Sequence, residues 1–170
     1  MLACYLAVRL DDGAPALFKQ TRIGRYGRPF RMYKFRSMHN DAEAAGPQLC
    51  RGRKDPRLTR VGRFLREHHL DELPQLWNVL RGDMAFIGPR PERRFYIEQI
   101  VRQDQRYPLL YQIRPGVTSY ATLYNGYTDT PEKMLRRLEL DLYYLEHRSL
   151  FLDLKILWLT FYRIVTGHKF

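Results

Sequence analysis

The sequence predicts an α+β domain in which helices dominate and a β-hairpin comes first. Three observations carry that prediction. Two stretches rich in aromatic and β-compatible residues, Ala16 to Arg22 and Phe30 to Met38, flank the turn-forming run Gly24-Arg25-Tyr26-Gly27-Arg28-Pro29. The rest of the chain repeatedly shows apolar residues at helical spacing behind recognisable start signals. Finally, 170 residues of which 45% are apolar and 14% aromatic suffice for one buried core and exclude a disordered chain.

Each element has its own local reason. Met1 to Leu10 is mostly apolar but short, broken by Arg9 and followed by Asp11-Asp12-Gly13. It lacks a basic leader and a cleavage site, so it does not read as a signal peptide. No stretch reaches the roughly 20 apolar residues that a membrane span needs. After the hairpin, His39 to Pro56 is polar, holds Gly46, Pro47 and Gly52, and reads as a mobile surface loop. A helix is expected from about Thr59, with Val61, Phe64 and Leu65 as its apolar stripe. The next is expected to start with Asp71 as N-cap, Pro74 in the first turn and Gly82 past its end. Its apolar face would be Leu73, Leu76, Trp77 and Leu80. Ile87-Gly88-Pro89-Arg90-Pro91 forces a rigid, non-helical connection. Glu92 to Gln105 reads as helix, and Arg114-Pro115-Gly116 opens an irregular stretch through Asn125-Gly126-Tyr127. Thr130-Pro131-Glu132 is a strong helix start, with Met134, Leu135, Leu138, Leu142 and Leu145 as the buried face. The last helix aligns Leu150, Leu154, Leu157, Trp158, Phe161 and Val165, which suits either a core helix or one lying in a membrane interface.

The charge is the strongest global signal. Twenty-nine Lys and Arg against 18 Asp and Glu give +11, which favours an anionic partner: nucleic acid, anionic headgroups or a phosphorylated small molecule. Cys4 and Cys50 have no CxxC spacing, so neither a disulfide framework nor a zinc site is implied, and a reducing compartment is expected.

Among residues that carry chemistry, Asp71-Glu72 stands first. Adjacent carboxylates at a helix start sit where N–H groups and the helix dipole favour negative charge. An aspartate there can attack phosphorus while its neighbour holds a metal or a proton; a plain capping acid is the alternative. Lys34 and Arg36 alternate along a strand and so share a face. Arg66 precedes the acid pair, Arg90 sits between prolines, and Arg114 precedes Pro-Gly. Rigidly presented guanidiniums suit bidentate phosphate recognition. Asp141 flanks an apolar helix face, where a carboxylate is costly unless paired, so a structural salt bridge is the alternative to a site role. His68 and His69 are candidate ligands or merely solvated histidines. The basic and aromatic run Phe30 to Arg36 also resembles a nucleic-acid-binding strand that would stack bases on Tyr33 and Phe35, but that reading leaves Asp71-Glu72 and the apolar C-terminal segment unexplained.

Strung together, these segments resemble the bacterial sugar transferase family. The resemblance rests on Phe18-Lys19-Gln20 with Arg22-Ile23-Gly24, Tyr33-Lys34-Phe35-Arg36-Ser37-Met38 and Leu70-Asp71-Glu72-Leu73-Pro74-Gln75-Leu76. It continues through Asn78-Val79-Leu80-Arg81-Gly82-Asp83-Met84, Ile87-Gly88-Pro89-Arg90-Pro91 and Arg114-Pro115-Gly116-Val117-Thr118. Leu140-Asp141-Leu142-Tyr143-Tyr144 and Leu152-Asp153-Leu154-Lys155-Ile156-Leu157 complete it, in family order, from Pro15 onward.

The resemblance implies a phosphoglycosyl transferase that works in two displacements. Asp71 attacks the sugar-linked phosphorus of a UDP-sugar and expels UMP; undecaprenyl phosphate then takes the phosphosugar. It implies Mg²⁺ as cofactor with Glu72 as the residue engaging it, and it assigns Lys34, Arg66, Arg90 and Asp141 to the polar site. The implied setting is the cytoplasmic face of a bacterial cytoplasmic membrane, at the first step of polysaccharide or glycoconjugate synthesis. Nucleic acid is not an implied partner, and a homo-oligomer is compatible with the reading. The family's re-entrant helix is expected to be largely absent, residues 1–14 being its remnant and 15–170 the catalytic domain. Tyr127 stands where many relatives carry arginine. The sugar is not specified.

Overall fold

The computed structural model describes residues 1–50, 55–126 and 128–166, so the Tyr127 position lies outside them. Three patches of core organise the chain, and the hairpin connects two of them.

The first patch joins the N-terminus to the hairpin. Helix α1 (Leu2–Asp12) ends at Gly13, whose φ of 71° lets its N–H reach back to Arg9 O. Strands β1 (Leu17–Ile23) and β2 (Pro29–Phe35) pair antiparallel with Leu17 opposite Phe35 and Ile23 opposite Pro29. Helix α2 (Arg60–Glu67) starts at Thr59, whose side-chain oxygen accepts from Gly62 N at 2.9 Å. Val8, Ala16, Phe35 and Leu65 bury together, so residues 1–14 share a core with the hairpin and α2. Phe35 is therefore an interior residue at 3% exposure, and base stacking on it, which the nucleic-acid reading required, is not available.

The second patch is the main core. Helix α4 (Arg94–Gln103), a 3₁₀ turn at Tyr107–Gln112 and helix α6 (Pro131–Glu146) bury Tyr96, Ile97, Ile100, Leu110, Met134, Leu138 and Leu142 against Ile23. The start of α6 is as expected: Thr130 caps by accepting from Lys133 N, and Pro131 occupies the first helical position.

The third patch contains a two-stranded parallel sheet in stretches expected to be irregular. Strands β3 (Ala85–Ile87) and β4 (Gly116–Thr118) pair Ala85 with Gly116 and Ile87 with Thr118. The backbones approach so closely that a Cβ on Gly88 would lie 2.3 Å from Arg114 O, and one on Gly116 2.2 Å from Gly88 N; only glycine fits both places. Helix α5 (Tyr120–Asn125) and helix α7 (Leu150–Thr166) pack Leu123 and Ile156 beside Tyr144.

Two expectations need correction. The helix expected from Asp71 is split into a 3₁₀ turn at Leu70–Glu72 and helix α3 (Gln75–Leu80), with Pro74 at its N-terminus and no side-chain cap from Asp71. Its buried face is also not the apolar one. Gln75 and Asn78 are interior, whereas Trp77 and Leu80 are 57% and 80% exposed. Likewise α7 buries only Ile156, while Leu150, Trp158 and Val165 are each at least two-thirds exposed, which removes the core-helix reading of that segment. Among the described residues, no helix is long and apolar enough to cross a membrane.

Candidate active site

A cavity of about 830 Å³ opens where β2, the Leu70–Glu72 turn, the Arg90 segment and α6 converge, within the size range of small-molecule sites. Of the residues singled out in the sequence, Lys34, Arg36, Arg66, Asp71, Glu72 and Arg90 line it. Two others do not. Arg114 has its guanidinium at the Gly82 turn, and Asp141 sits behind Arg90 in a separate small space.

Strand alternation delivers Lys34 into this cavity, and Asn78 fixes its height. Fully buried, Asn78 accepts from Tyr33 N at 3.1 Å and donates to Arg31 O at 2.8 Å, so α3 satisfies the free edge of β2. The acid pair is presented by a sharp reversal after α2, in which His69 takes a left-handed conformation at φ 54°. His69 lines the cavity; His68 points away, its Nδ1 donating to Phe64 O. Arg90 is aimed from the rigid Gly88-Pro89-Arg90-Pro91 segment, which is held to the hairpin where Arg22 donates to Pro91 O and Glu92. On the opposite rim, Arg57 ties the loop at Ala42 and Leu49 to the buried Asp55.

The two acids live in different environments. Glu72 Oε1 accepts from Lys34 Nζ at 2.7 Å and Arg90 Nη2 at 3.3 Å. Burial pushes its pKa up, but Lys34 and Arg90 outweigh this and hold the carboxyl well below the usual range. Burial in turn lowers the Lys34 ammonium. Asp71 is only 5% exposed, and among the described residues no hydrogen bond holds its carboxylate. Burial raises its pKa while Lys34, Arg66 and Arg90 work against that rise. Arg66 is steadied by donating to Ser37 Oγ and Cys50 Sγ.

Arg36 is spent on the scaffold: its guanidinium engages both Asp12 oxygens, Pro15 O and Asn40 Oδ1. Asp141 is 2% exposed, and burial pushes its carboxyl up to about 7 against the pull of Arg137 and of the Ala121 and Arg90 backbone N–H groups. It shares that small space with Arg90 and Arg137, and its Oδ1 is buried with no hydrogen-bond partner among the described residues. The cavity positions of Arg22 and Arg137 and the strand contacts of Asn78 were not readable; all three are ordinary polar residues in sequence, and only the signal of a segment motif marked Arg22 and Asn78.

As to a metal, no group of three or more His, Cys, Asp and Glu among the described residues could cage an ion. Mg²⁺ does not need such a cage, since one or two carboxylates plus substrate phosphates hold it. Both contacts to Glu72 fall on Oε1, so its other oxygen fits that donor set.

A buried carboxylate without a hydrogen bond among the described residues, faced by three cations in a cavity, has the geometry of a nucleophile toward a phosphorylated group. The family profile described as "Bacterial sugar transferase" matches residues 1–167. The chain is 41% identical over 167 residues to "UDP-N-acetylgalactosamine-undecaprenyl-phosphate N-acetylgalactosaminephosphotransferase" of Aeromonas hydrophila, covering 98% of this chain and 39% of that protein. It is 42% identical over 169 residues to a "UDP-glucose:undecaprenyl-phosphate glucose-1-phosphate transferase" of Escherichia coli K12, covering 96% of this chain and 36% of that one. The protein of the same name from Caulobacter vibrioides is 42% identical over 169 residues, covering 98% of this chain and 62% of its own length. The chain therefore spans between 36% and 62% of the length of these relatives. With its profile matched almost end to end, the chain belongs to the bacterial sugar transferase family.

Proposed function

We propose that this chain transfers a sugar-1-phosphate from a UDP-sugar to undecaprenyl phosphate and releases UMP, as the first membrane step of polysaccharide or glycoconjugate synthesis. The observation that carries the reading is the Asp71 carboxylate, buried, free of hydrogen bonds among the described residues, and opposed by Lys34, Arg66 and Arg90. Donor and acceptor classes come from the names of the relatives.

In the first half, an Asp71 oxygen bonds to the sugar-linked phosphorus, and the bond from that phosphorus to the bridging oxygen breaks. Its electron pair leaves on UMP. In the second half, an oxygen of the lipid phosphate attacks the same phosphorus, and the electron pair of the acyl-phosphate bond returns to Asp71. Phosphoryl transfer asks chiefly for positioning and charge neutralisation, which Lys34, Arg66 and Arg90 supply. Bound Mg²⁺, engaged by Glu72 and the substrate phosphates, would neutralise further phosphate charge. The exposed apolar side chains of α1, α3 and α7 fit residence at the inner face of the cytoplasmic membrane, with Trp158 and Tyr162 at headgroup level.

The test is UMP release from a panel of UDP-sugars with Mg²⁺ and detergent-solubilised undecaprenyl phosphate. Wild type should release UMP from at least one donor, and Asp71→Asn should release none while keeping its circular dichroism spectrum. Turnover by the folded Asp71→Asn variant would exclude Asp71 as nucleophile.

A further inference from the structure

We propose that Arg137 forms a second anion subsite in this cavity, one that holds the phosphate departing with the nucleotide. The proposal rests on the donor being a UDP-sugar.

The cations lining the cavity differ in what already occupies them. Arg22 pairs with Glu92, Arg36 with Asp12, Arg93 with Glu43, and Lys34 and Arg90 with Glu72. Arg137, like Arg66, is held by neutral groups among the described residues instead. It lines the cavity at 8% exposure, and its two hydrogen bonds go to neutral oxygens: Nε to Thr128 Oγ1 at 2.7 Å and Nη2 to Gly126 O at 3.2 Å. Its remaining donor group, Nη1, is buried and has no partner among the described residues. A guanidinium pinned on two sides with a donor left over loses little freedom on taking an anion, and it can offer the parallel pair of N–H groups that phosphate prefers. Two more donors on residues lining the same cavity, Tyr96 OH and Arg22 Nε, are also buried without partners among the described residues. The acids whose charge reaches Arg137 most strongly are Asp141 and Glu92. Glu92 is engaged by Arg22, and burial disfavours the charged form of Asp141.

Its place along the cavity fits a leaving group. Arg90 and Arg137 line both the cavity and the small space that holds Asp141, whereas Lys34, Arg66 and Asp71 line the cavity alone. Arg137 thus lies on the Arg90 side of the cavity, away from the nucleophile. When the bond to the bridging oxygen breaks, its electron pair collects on the departing phosphate. A cation one position further from Asp71 than the attacked phosphorus neutralises that charge.

The experiment is calorimetric titration of the folded chain with UMP, uridine and a short-chain prenyl phosphate, for wild type, Arg137→Gln, Arg137→Lys and Thr128→Val. Losing a hydrogen bond to a charged group corresponds to roughly a 10- to 100-fold effect. Arg137→Gln should weaken UMP by that factor and leave uridine and the prenyl phosphate within about twofold. Arg137→Lys, which keeps the charge but not the fork, should fall between. Thr128→Val removes an Nε partner without touching Nη1, and should weaken UMP less than Arg137→Gln does. Three results would overturn the subsite: equal losses for UMP and uridine, a loss confined to the prenyl phosphate, or a loss in Thr128→Val as large as in Arg137→Gln. Unchanged UMP affinity in an Arg137→Gln variant that melts lower would also overturn it, leaving Arg137 as a partner of Asp141 alone. Failure of the transferase reading shows separately, as absence of UMP release by wild type from every donor.

Discussion

Removing the Lys34 ammonium should show how the acid pair is held. Lys34 and Glu72 are 14% and 16% exposed at the side chain and meet at 2.7 Å. Lys34→Met leaves Glu72 a buried carboxylate with Arg90 alone at 3.3 Å, and breaking a buried pair from one side costs about 3 kcal/mol. For a domain of this size that lowers the melting temperature by about 6–12 °C. Glu72→Gln should cost a similar amount, because Lys34 and Arg90 then lose the same partner. The double variant Lys34→Met/Glu72→Gln removes the pair together and should cost less than the two singles combined, with a coupling of about 2–3 kcal/mol. Urea denaturation followed by Trp77 and Trp158 fluorescence measures all four corners of this cycle. Glu72 titrates below its ordinary value when folded, so the stability it contributes is present above about pH 4.5 and is lost as acid is added below that. The coupling should therefore hold from pH 8 to pH 5 and shrink at lower pH. A coupling below about 0.5 kcal/mol at pH 7 would mean that the two residues act independently and would refute the account of the dyad.

Three other perturbations have outcomes set by the structure. Asp141, pushed up to about 7 in the fold, binds its proton more tightly there than in the unfolded chain; its contribution is full below about pH 4 and lost as pH rises through 7. Wild type should lose stability relative to Asp141→Asn between pH 5 and pH 8, and parallel melting curves across that range would refute the shift. Gly116→Ala places a Cβ 2.2 Å from Gly88 N and 2.4 Å from Thr118 O, so it should cost more than about 4 kcal/mol and lower the melting temperature by at least about 8 °C; a change under 2 °C would show that β3 and β4 can separate freely. Arg36→Met unfastens Asp12 from the segment that follows β2 and should speed amide hydrogen exchange across α1 at least tenfold without altering α6, whereas unchanged exchange in α1 would show that Val8 packing alone holds the helix.

What the sequence made legible depends on how local the cause is. The hairpin arises from alternation and from a turn between two strands, and the start of α6 from Thr130 and Pro131; both are written within a few residues. The parallel pair of β3 and β4 is not. Three-residue strands have no period to read, and their reason for existing is the contact of Gly88 with Gly116, two positions brought together only by the fold. In α3 the apolar stripe misled because an amphipathic helix says only that two faces differ. Asn78 is inside because β2 has an unpaired edge to satisfy, and Trp77 is outside because the neighbouring surface is not core. The site shows the same division. Asp71, Glu72 and Lys34 stood out as residue types in motifs, but the assignment of Lys34 and Arg90 to Glu72, of Arg36 to Asp12, and the distance of Arg114 from the cavity are matters of tertiary approach.

The adjacent acids are best understood as a division of labour set by geometry. If both were paired to cations, the fold would be more stable, but the nucleophile would be a poor one, its lone pairs already donated into hydrogen bonds. If neither were paired, two like charges side by side in a buried site could not both stay ionised. The structure takes a middle course. Glu72 takes both Lys34 Nζ and Arg90 Nη2 and stays an anion. Asp71, one residue earlier in the tight 3₁₀ turn, receives the field of the same cations together with Arg66 but no hydrogen bond among the described residues. Burial makes its negative charge costly and raises its basicity, while the surrounding cations work against that rise. A carboxylate in that state gains on bonding to phosphorus, because the bond disperses a charge that the site solvates poorly. In the proposed transfer, the substrate phosphates would in turn meet cations whose positions are already fixed by Glu72, leaving little reorganisation for the moment of reaction.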